Sequence, residues 1–128
     1  SFSVLKNFFL FLKLPFLLSL KSTSHMLMKR IEITMGRNIP NSGTVSNSMM
    51  NEFIKSDIMP LFEYGTFIDG EGFWKGEFEK TKIFYIEIAD DEVQDYMPKF
   101  EAIAAAYKKA FRQDAVLISQ VQTHYAFT

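Results

Sequence analysis

The sequence predicts one α+β domain of the ferredoxin-like class, with strands and helices in the order βαββαβ. Residues 29–37 and 81–88 alternate apolar and polar side chains, as half-buried strands do. Residues 46–61 and 95–112 repeat apolar side chains at helical spacing. This order of segments places both helices on one face of an antiparallel sheet.

The first half of the domain begins with the alternating strand Lys29–Arg37. A loop rich in Asn, Pro, Ser and Gly follows at Asn38–Thr44. Ser46 is placed to cap the first helix. Pro60 limits that helix, because the residue before a proline avoids the helical region. The helix carries one apolar stripe, which consists of Met50, Phe53, Ile54, Ile58 and Leu61.

The middle of the chain reads as a hairpin of two strands. Tyr64–Ile68 forms the second strand, and Asp69–Gly72 is expected to be a flexible turn or a bulge. Phe73–Glu77 continues into the hairpin. The third strand, Thr81–Ile88, puts Phe84, Ile86 and Ile88 on one face and Ile83, Tyr85 and Glu87 on the other.

A second helix and a last strand complete the domain. Asp90–Glu92 is an acidic turn that suits a helix N-terminus. The helix is predicted over Asp95–Arg112, with Pro98 tolerated because it lies in the first turn. Its stripe consists of Phe100, Ile103, Ala104, Tyr107 and Phe111. The last strand is predicted from Ala115 to about Tyr125.

The second face of the predicted sheet is neither a core nor an ordinary surface. It mixes apolar Ile83, Leu117 and Val121 with polar Glu87 and Thr123. A face of this composition usually packs on another subunit, which predicts a homo-oligomer. The alternative is a partly apolar sheet that is exposed to solvent.

Composition excludes several functional classes. The 128 residues contain no cysteine, so disulfides and thiolate metal sites are excluded. The only histidines, His25 and His124, do not show the spacing of a metal site. Three of the fourteen basic residues precede the domain, which leaves it eleven basic and fifteen acidic residues and no basic patch for nucleic acid.

The domain is predicted to span residues 29–128, and residues 1–28 are expected to be a disordered or dispensable hydrophobic leader. Lys13 and Pro15 interrupt the apolar run of residues 2–20, which is short for a membrane span. A secretion signal and a membrane-surface anchor remain alternatives, but no small-residue cleavage motif follows the run. Stable membrane insertion is not expected.

Several polar and aromatic residues are candidates for chemistry. Glu77 and Glu79 lie two apart in a strand, so both project to one face, where they can hold a cationic amine or form a solvated hairpin tip. Trp74 follows flexible glycines and can stack on a purine or pack at a hairpin edge. His124 has no Ser or Cys partner at a recognisable spacing, so a catalytic triad is not indicated.

The segment Gln113–His124, with the spacing Q-D-x-V-L-x4-Q-T-H, resembles the C-terminal motif of the phage-encoded S-adenosylmethionine (SAM) lyases. Glu79-Lys80-Thr81 and Gly72-Phe73-Trp74-Lys75 also look like that family. A second likeness, to a family of small uncharacterised bacterial proteins, spans nearly the whole domain. It rests on Gly36-Arg37, Val45-Ser46, Phe53, Pro60, Gly72–Trp74 and Ala102–Leu117.

The lyase resemblance implies a GlnB-like homotrimer with active sites at the subunit interfaces. It implies cleavage of SAM to 5′-methylthioadenosine and L-homoserine lactone without any cofactor, in the cytoplasm of an infected bacterium, as a phage defence against restriction-modification. Glu79 matches the family's glutamate, with Glu77 in reserve. The substrate-binding residues would be Phe73, Trp74, Tyr64, Gln113, Gln122, Thr123 and His124. The alternative is a GlnB-like trimer that binds an adenosyl ligand or nucleotide without catalysis.

Overall fold

The computed structural model describes residues 27–124 and shows a four-stranded antiparallel sheet with two helical segments. The elements are β1 (Leu27–Gly36), α1 (Asn47–Phe53), β2 (Thr66–Trp74), β3 (Glu77–Ala89), α2 (Val93–Phe111) and β4 (Leu117–His124). The strand order across the sheet is β2-β3-β1-β4. The predicted ferredoxin-like βαββαβ arrangement is therefore confirmed.

The core lies between one face of the sheet and the helices. Its strand residues are those at alternate positions, as the sequence pattern predicts, and the helices contribute the predicted stripes. Phe84 and Phe100 stack at 5.7 Å between ring centroids, and Phe53 meets Tyr107 edge to face at 5.2 Å. The most deeply buried members include Ile31, Ile33, Met35, Ile58, Ile86, Ile88 and Ile103.

The first helical segment begins where Ser46 was predicted to cap it. The Ser46 hydroxyl accepts the backbone N–H of Met49 at 3.1 Å. Beyond α1 the backbone continues as a π-helical turn at Ile54–Ile58 and a 3-10 turn at Met59–Leu61, which contains Pro60. Met59, the residue before the proline, keeps helical φ and ψ of −57° and −34°, so the expectation that it leaves the helical region is wrong. The helical backbone ends just after Pro60, at Leu61, and Phe62 is extended.

The predicted turn or bulge at Asp69–Gly72 is wrong. These four residues lie inside β2 and pair in register with β3, from Asp69 opposite Lys82 to Gly72 opposite Glu79. The reversal comes later, at Lys75 and Gly76, both of which have positive φ. Two consecutive residues of this kind make the tight turn whose twist matches a hairpin. The pairing energy of a long hairpin overrides the poor strand propensity of Asp and Gly.

The second helix and last strand also differ in their bounds from the prediction. A 3-10 turn at Asp90–Glu92 leads directly into α2, so Pro98 lies in the second turn of the helix and not in the first. Arg112 leaves the helix in a left-handed conformation, with φ of 53°. β4 begins at Leu117, two residues later than predicted, and Tyr125 lies outside the described residues.

The predicted leader lies outside the described residues except for Leu27 and Met28, which belong to β1 and pair with His124 and Thr123 of β4. Among residues 27–124, no helix combines the length and the apolar character that crossing a bilayer requires.

Candidate functional site

Glu79 lies on the face of the sheet opposite the helices, which we call the open face. Its Oε2 accepts the backbone N–H of Asn38 at 2.9 Å, just beyond the end of β1. Within residues 27–124, its Oε1 has no hydrogen-bond partner. The side chain is half-buried. One carboxylate oxygen is thus anchored to backbone, and the other is available to a ligand.

Three glycines, which we call the glycine floor, lie on the same face of the sheet as this carboxylate: Gly36, Gly70 and Gly72. Gly72 pairs directly with Glu79, and Thr81 lies between Gly70 and Gly36 in the same row. A Cβ on Gly36 would lie 2.6 Å from Oε2 of Glu79, so the carboxylate occupies the space that a side chain would need. The hydroxyl oxygen of Thr81 fills the corresponding space at Gly70, 2.7 Å from where a Cβ would lie. Gly72 alone of the three leaves its backbone open to the close approach of a flat group, since a Cβ there would meet only a backbone oxygen at 4.0 Å.

The end of the β2–β3 hairpin forms the rim of this area. Trp74 pairs with Glu77 at the last position of the ladder. The two share the open face with Glu79, because side chains alternate along a strand. Trp74 is 75% exposed, and the ammonium of Lys75 lies 5.5 Å from its ring centre. Glu77 is also exposed.

Phe73 belongs to the other face. It pairs with Phe78, and the two rings meet edge to face at 6.4 Å. A ligand lying on the open face over the glycine floor can therefore contact Trp74 but not Phe73. Phe73 and Trp74 are adjacent in the sequence, but in the strand their side chains lie on opposite faces of the sheet.

A buried tyrosine and a glutamine hold the end of β1 in place beneath Glu79. The hydroxyl of Tyr107 donates to the carbonyl of Gly36 at 2.6 Å. Nε2 of Gln113 donates to the carbonyl of Asn38 at 2.8 Å. Burial raises the pKa of Tyr107 to about 12, so its hydroxyl is a donor throughout the physiological range. Gln113 thus positions the backbone that binds Glu79.

Gly36, Asn38 and Tyr107 belong to this site although no local sequence pattern predicts it. Tyr107 was interpreted as a core residue on a helical stripe, and it is fully buried. Only its hydroxyl connects it with Glu79, through a contact 71 residues away in the chain. No local pattern indicates a contact of that kind.

A second polar group lies at the opposite end of the sheet. The hydroxyl of Thr123 donates to Oε2 of Glu87 at 2.7 Å, and Oε1 of Glu87 takes the guanidinium of Arg30 at 2.8 Å. That guanidinium stacks on the ring of Tyr85 at 3.9 Å. The hydroxyl of Tyr64 donates to the carbonyl of Glu87 at 3.0 Å.

Gln122 and His124 alternate with Thr123 and so belong to the helix-facing side of β4. Lys29 donates its ammonium to Oε1 of Gln122 at 3.2 Å. His124 is exposed and pairs with Leu27 at the end of the ladder. These two residues are therefore not part of the open-face group that contains Thr123.

Metal binding receives no support from the described part of the chain. No group of three or more His, Cys, Asp or Glu side chains in residues 27–124 is arranged to hold a metal ion.

Comparison with known proteins identifies the family of this chain. Residues 30–127 match the model of the family described as "Protein of unknown function (DUF3574)". The chain belongs to this family. A search of curated proteins finds no match.

Solved structures resemble the family member described here in fold. A phage SAM lyase in complex with S-methyl-5′-thioadenosine superposes with a TM-score of 0.56 at 16% identity, covering 79% of this chain and 89% of the lyase. A phage SAM lyase in the apo state superposes with a TM-score of 0.51 at 18% identity, covering 83% and 91%. At these identities the likeness shows a common fold.

The predicted site residues form two separate groups in one protomer. Glu79 lies against Gly36, whereas Thr123 pairs with Met28, eight residues further back along β1. At about 3.3 Å per residue, the two groups are roughly 26 Å apart. One small molecule bound to a single chain cannot contact both. Glu79, Glu77, Trp74 and Gln113 are brought to one end of the sheet, and Tyr64, Gln122, Thr123 and His124 to the other.

Proposed function

We propose that this protein binds S-adenosylmethionine over the glycine floor and cleaves it to 5′-methylthioadenosine and L-homoserine lactone. The observation that carries the proposal is the half-buried carboxylate of Glu79, anchored through one oxygen only, in a fold shared with a phage SAM lyase. The free oxygen suits the substrate ammonium. The open backbone of Gly72 suits the close approach of a flat adenine, and Trp74 at the rim offers a stacking surface.

The proposed reaction requires little chemistry from the protein. A carboxylate oxygen of the substrate attacks its own γ-carbon, the carbon–sulfur bond breaks, and the electron pair goes to sulfur. The sulfonium becomes a neutral thioether, the carboxylate becomes a lactone, and no proton is transferred. The protein's contribution is to fold the methionine arm into a ring-like conformation. It must also bind the sulfonium weakly, because that positive charge disappears in the transition state.

We further propose that the complete site forms between subunits of a homotrimer. Apolar side chains on the open face support this assembly, since Leu117 is 62% exposed, Val121 48% and Ile68 41%. The Thr123 end of one protomer would then meet the Glu79 end of its neighbour. In the cytoplasm of an infected bacterium, such an enzyme would deplete the methyl donor of restriction-modification.

The test is incubation of the purified protein with SAM, followed by chromatography and mass spectrometry of the products. Methylthioadenosine and homoserine lactone are expected in equal amounts, with the lactone preceding homoserine. Calorimetry on the same sample separates catalysis from binding. Binding without product would contradict the lyase assignment and favour an adenosyl-binding module, and neither binding nor product would exclude both.

The role of Glu79 is tested by Glu79→Gln, whose amide oxygen can still accept the Asn38 N–H. Removing one charged contact to the ammonium costs about 1.5–3 kcal/mol, so kcat/KM should fall roughly 10- to 100-fold at an unchanged melting temperature. Glu71→Gln is the matched control, because Glu71 projects to the helix-facing side of the same hairpin. An unchanged rate in Glu79→Gln together with a loss in Glu77→Gln would transfer the role to Glu77.

A further inference from the structure

A pocket of about 460 Å³ lies on the helix-facing side of the hairpin, separated by the sheet from the open face. It is formed by the end of β1, the start of α1 and one face of the hairpin. Its charged and aromatic lining residues are Arg37, Lys80, Glu71 and Phe78, and Ser46 and Asn47 add polar groups. Of the residues described around Glu79, Asn38 alone also lines this pocket.

The most informative residue of this pocket is Arg37, because it is a buried cation without a counter-ion. It is only 9% exposed. Nε and Nη2 donate to the carbonyl of Val45 at 3.0 and 2.8 Å, and Nη2 also donates to Oδ1 of Asn47 at 2.9 Å. All of these acceptors are neutral. No carboxylate lies within 4.0 Å of the guanidinium in the described part of the chain.

Burying a charge in this way is costly unless an opposite charge compensates it. Nη1 has no acceptor within residues 27–124, and it is not one of their fully inaccessible unpartnered polar atoms. Its donors therefore open onto the pocket that Arg37 lines. Val45 and Asn47 hold Nε and Nη2, which fixes the guanidinium, so the two N–H groups of Nη1 can bind an oxyanion with little loss of side-chain entropy.

The remaining charges around the pocket leave it positive. Lys80 adds a second cation, and Glu71, opposite Lys80 in the ladder, adds one negative charge. The two make no ion pair within 4.0 Å in the described residues. The nearby Asp69 is already bound by Lys82 at 2.6 Å. Arg37, Lys80 and Glu71 together therefore leave one positive charge without a partner.

We propose that this pocket is a second ligand site, which binds a small organic oxyanion between Arg37 and Lys80. The shared chemistry is that of a phosphate or carboxylate group attached to an apolar or aromatic body. Phe78, whose ring is 71% exposed at the mouth of the pocket, provides the surface for that body. The proposal does not depend on the lyase activity, because the site lies on the other side of the sheet.

The binding test uses phenyl phosphate and benzoate as probes in calorimetric titrations of the full chain, with sodium chloride at equal ionic strength as the reference. Inorganic phosphate is the third probe, since it has the anionic group without an aromatic body. Saturable binding of at least one aromatic anion is expected, several-fold tighter than that of inorganic phosphate. Comparison of phenyl phosphate with benzoate shows which head group the pocket prefers. Heat no greater than that of sodium chloride for both aromatic anions would overturn the proposal.

Two substitutions locate the binding. Lys80→Gln should lower the affinity for the anion about tenfold, since one charge-assisted contact is lost. Lys75→Gln, the same change of charge at the hairpin turn outside the pocket, should leave the affinity unchanged. Equal affinities in Lys80→Gln and the parent chain would overturn the assignment. Phe78→Ala should remove the advantage of phenyl phosphate over inorganic phosphate.

Arg37→Lys keeps the charge but loses the Nη1 donors that Val45 and Asn47 hold in position, and it should weaken binding more than Lys80→Gln does. Since Arg37 also binds the carbonyl of Val45, the melting temperature of Arg37→Lys is measured first. If this variant does not fold, the affinity of Lys80→Gln tests the proposal instead. Glu79→Gln should bind the anion normally while losing SAM turnover. The two proposals can therefore fail separately.

Discussion

The contact between Gly36 and Glu79 allows a sharp test of how the candidate site is built. Gly36 lies in β1 and its φ is not positive, so an alanine there is compatible with the backbone. The new Cβ would nevertheless lie 2.6 Å from Oε2, 2.8 Å from Cδ and 2.9 Å from Oε1 of Glu79. Gly36→Ala must therefore displace the carboxylate.

The size of the effect follows from what the displaced group loses. A carboxylate at the end of a flexible side chain can swing away, so the cost is the charge-assisted hydrogen bond from Asn38 and not a fixed steric clash. For a half-buried group, we expect Gly36→Ala to lower the free energy of unfolding by about 1–2 kcal/mol. The same substitution in a Glu79→Ala background should be neutral or slightly stabilising, because it reduces the entropy of the unfolded chain.

The assay is a double-mutant cycle by urea denaturation with Gly36→Ala, Glu79→Ala and the double variant. The expected coupling energy is about 1–2 kcal/mol, which exceeds the departure from additivity seen for independent sites. Gly72→Ala is the control, since its Cβ would meet only a backbone oxygen, at 4.0 Å. Additive effects of Gly36→Ala and Glu79→Ala would refute the reasoning, and an equal loss in Gly72→Ala would attribute it to strand glycines in general.

Three further predictions concern the framework. Tyr107→Phe should cost about 1–2 kcal/mol, because it leaves the Gly36 carbonyl without its donor. Burial raises the pKa of Tyr107 to about 12, so the unfolded chain loses this proton at a lower pH than the folded chain does. The free energy of unfolding should therefore fall between about pH 10 and pH 12, and it should fall further in the parent than in Tyr107→Phe. A parallel decline in both proteins would contradict this. The hydrogen bond from Lys82 lowers the pKa of Asp69, so its stabilisation is present above about pH 4 and is lost as the pH falls through the lowered value. Because Asp69 is largely exposed, Asp69→Asn should cost well under 1 kcal/mol near neutral pH, and 1 M salt should remove the difference. Gly65→Ala should destabilise by about 1–3 kcal/mol, since its Cβ would contact Cε1 of the buried Phe84 and lie 2.7 Å from Cζ. Thermal denaturation checks this, and Phe84→Leu in the same chain should relieve part of the loss.

The placement of Glu79 and Gln113 shows how far reasoning from sequence reached towards the site. The strand spacing predicted that Glu77 and Glu79 share one face, and the register of the hairpin agrees. Gln113 was expected to contact a ligand. It contacts Asn38, and it positions the strand end that anchors Glu79. Residue type and spacing therefore predicted which side chains share a face, but only the tertiary contacts distinguish an open carboxylate oxygen from a group that positions a neighbour.

The pattern of apolar residues alone determined the class of fold, the two helical stripes and the strands of the core, and the residue type of Ser46 determined the cap. These features depend on neighbours within a few residues, where the periods of strand and helix act directly. The position of the hairpin turn was decided by the tertiary structure, because pairing with β3 keeps Asp69–Gly72 in strand conformation. The tertiary structure also decided the contacts that fix the end of β1 and the burial of Arg37 without a counter-ion. Those contacts join Gly36, Asn38, Glu79, Tyr107 and Gln113. The contacts around the end of β1 join residues 41 to 75 positions apart, so they are set by packing and no local spacing encodes them.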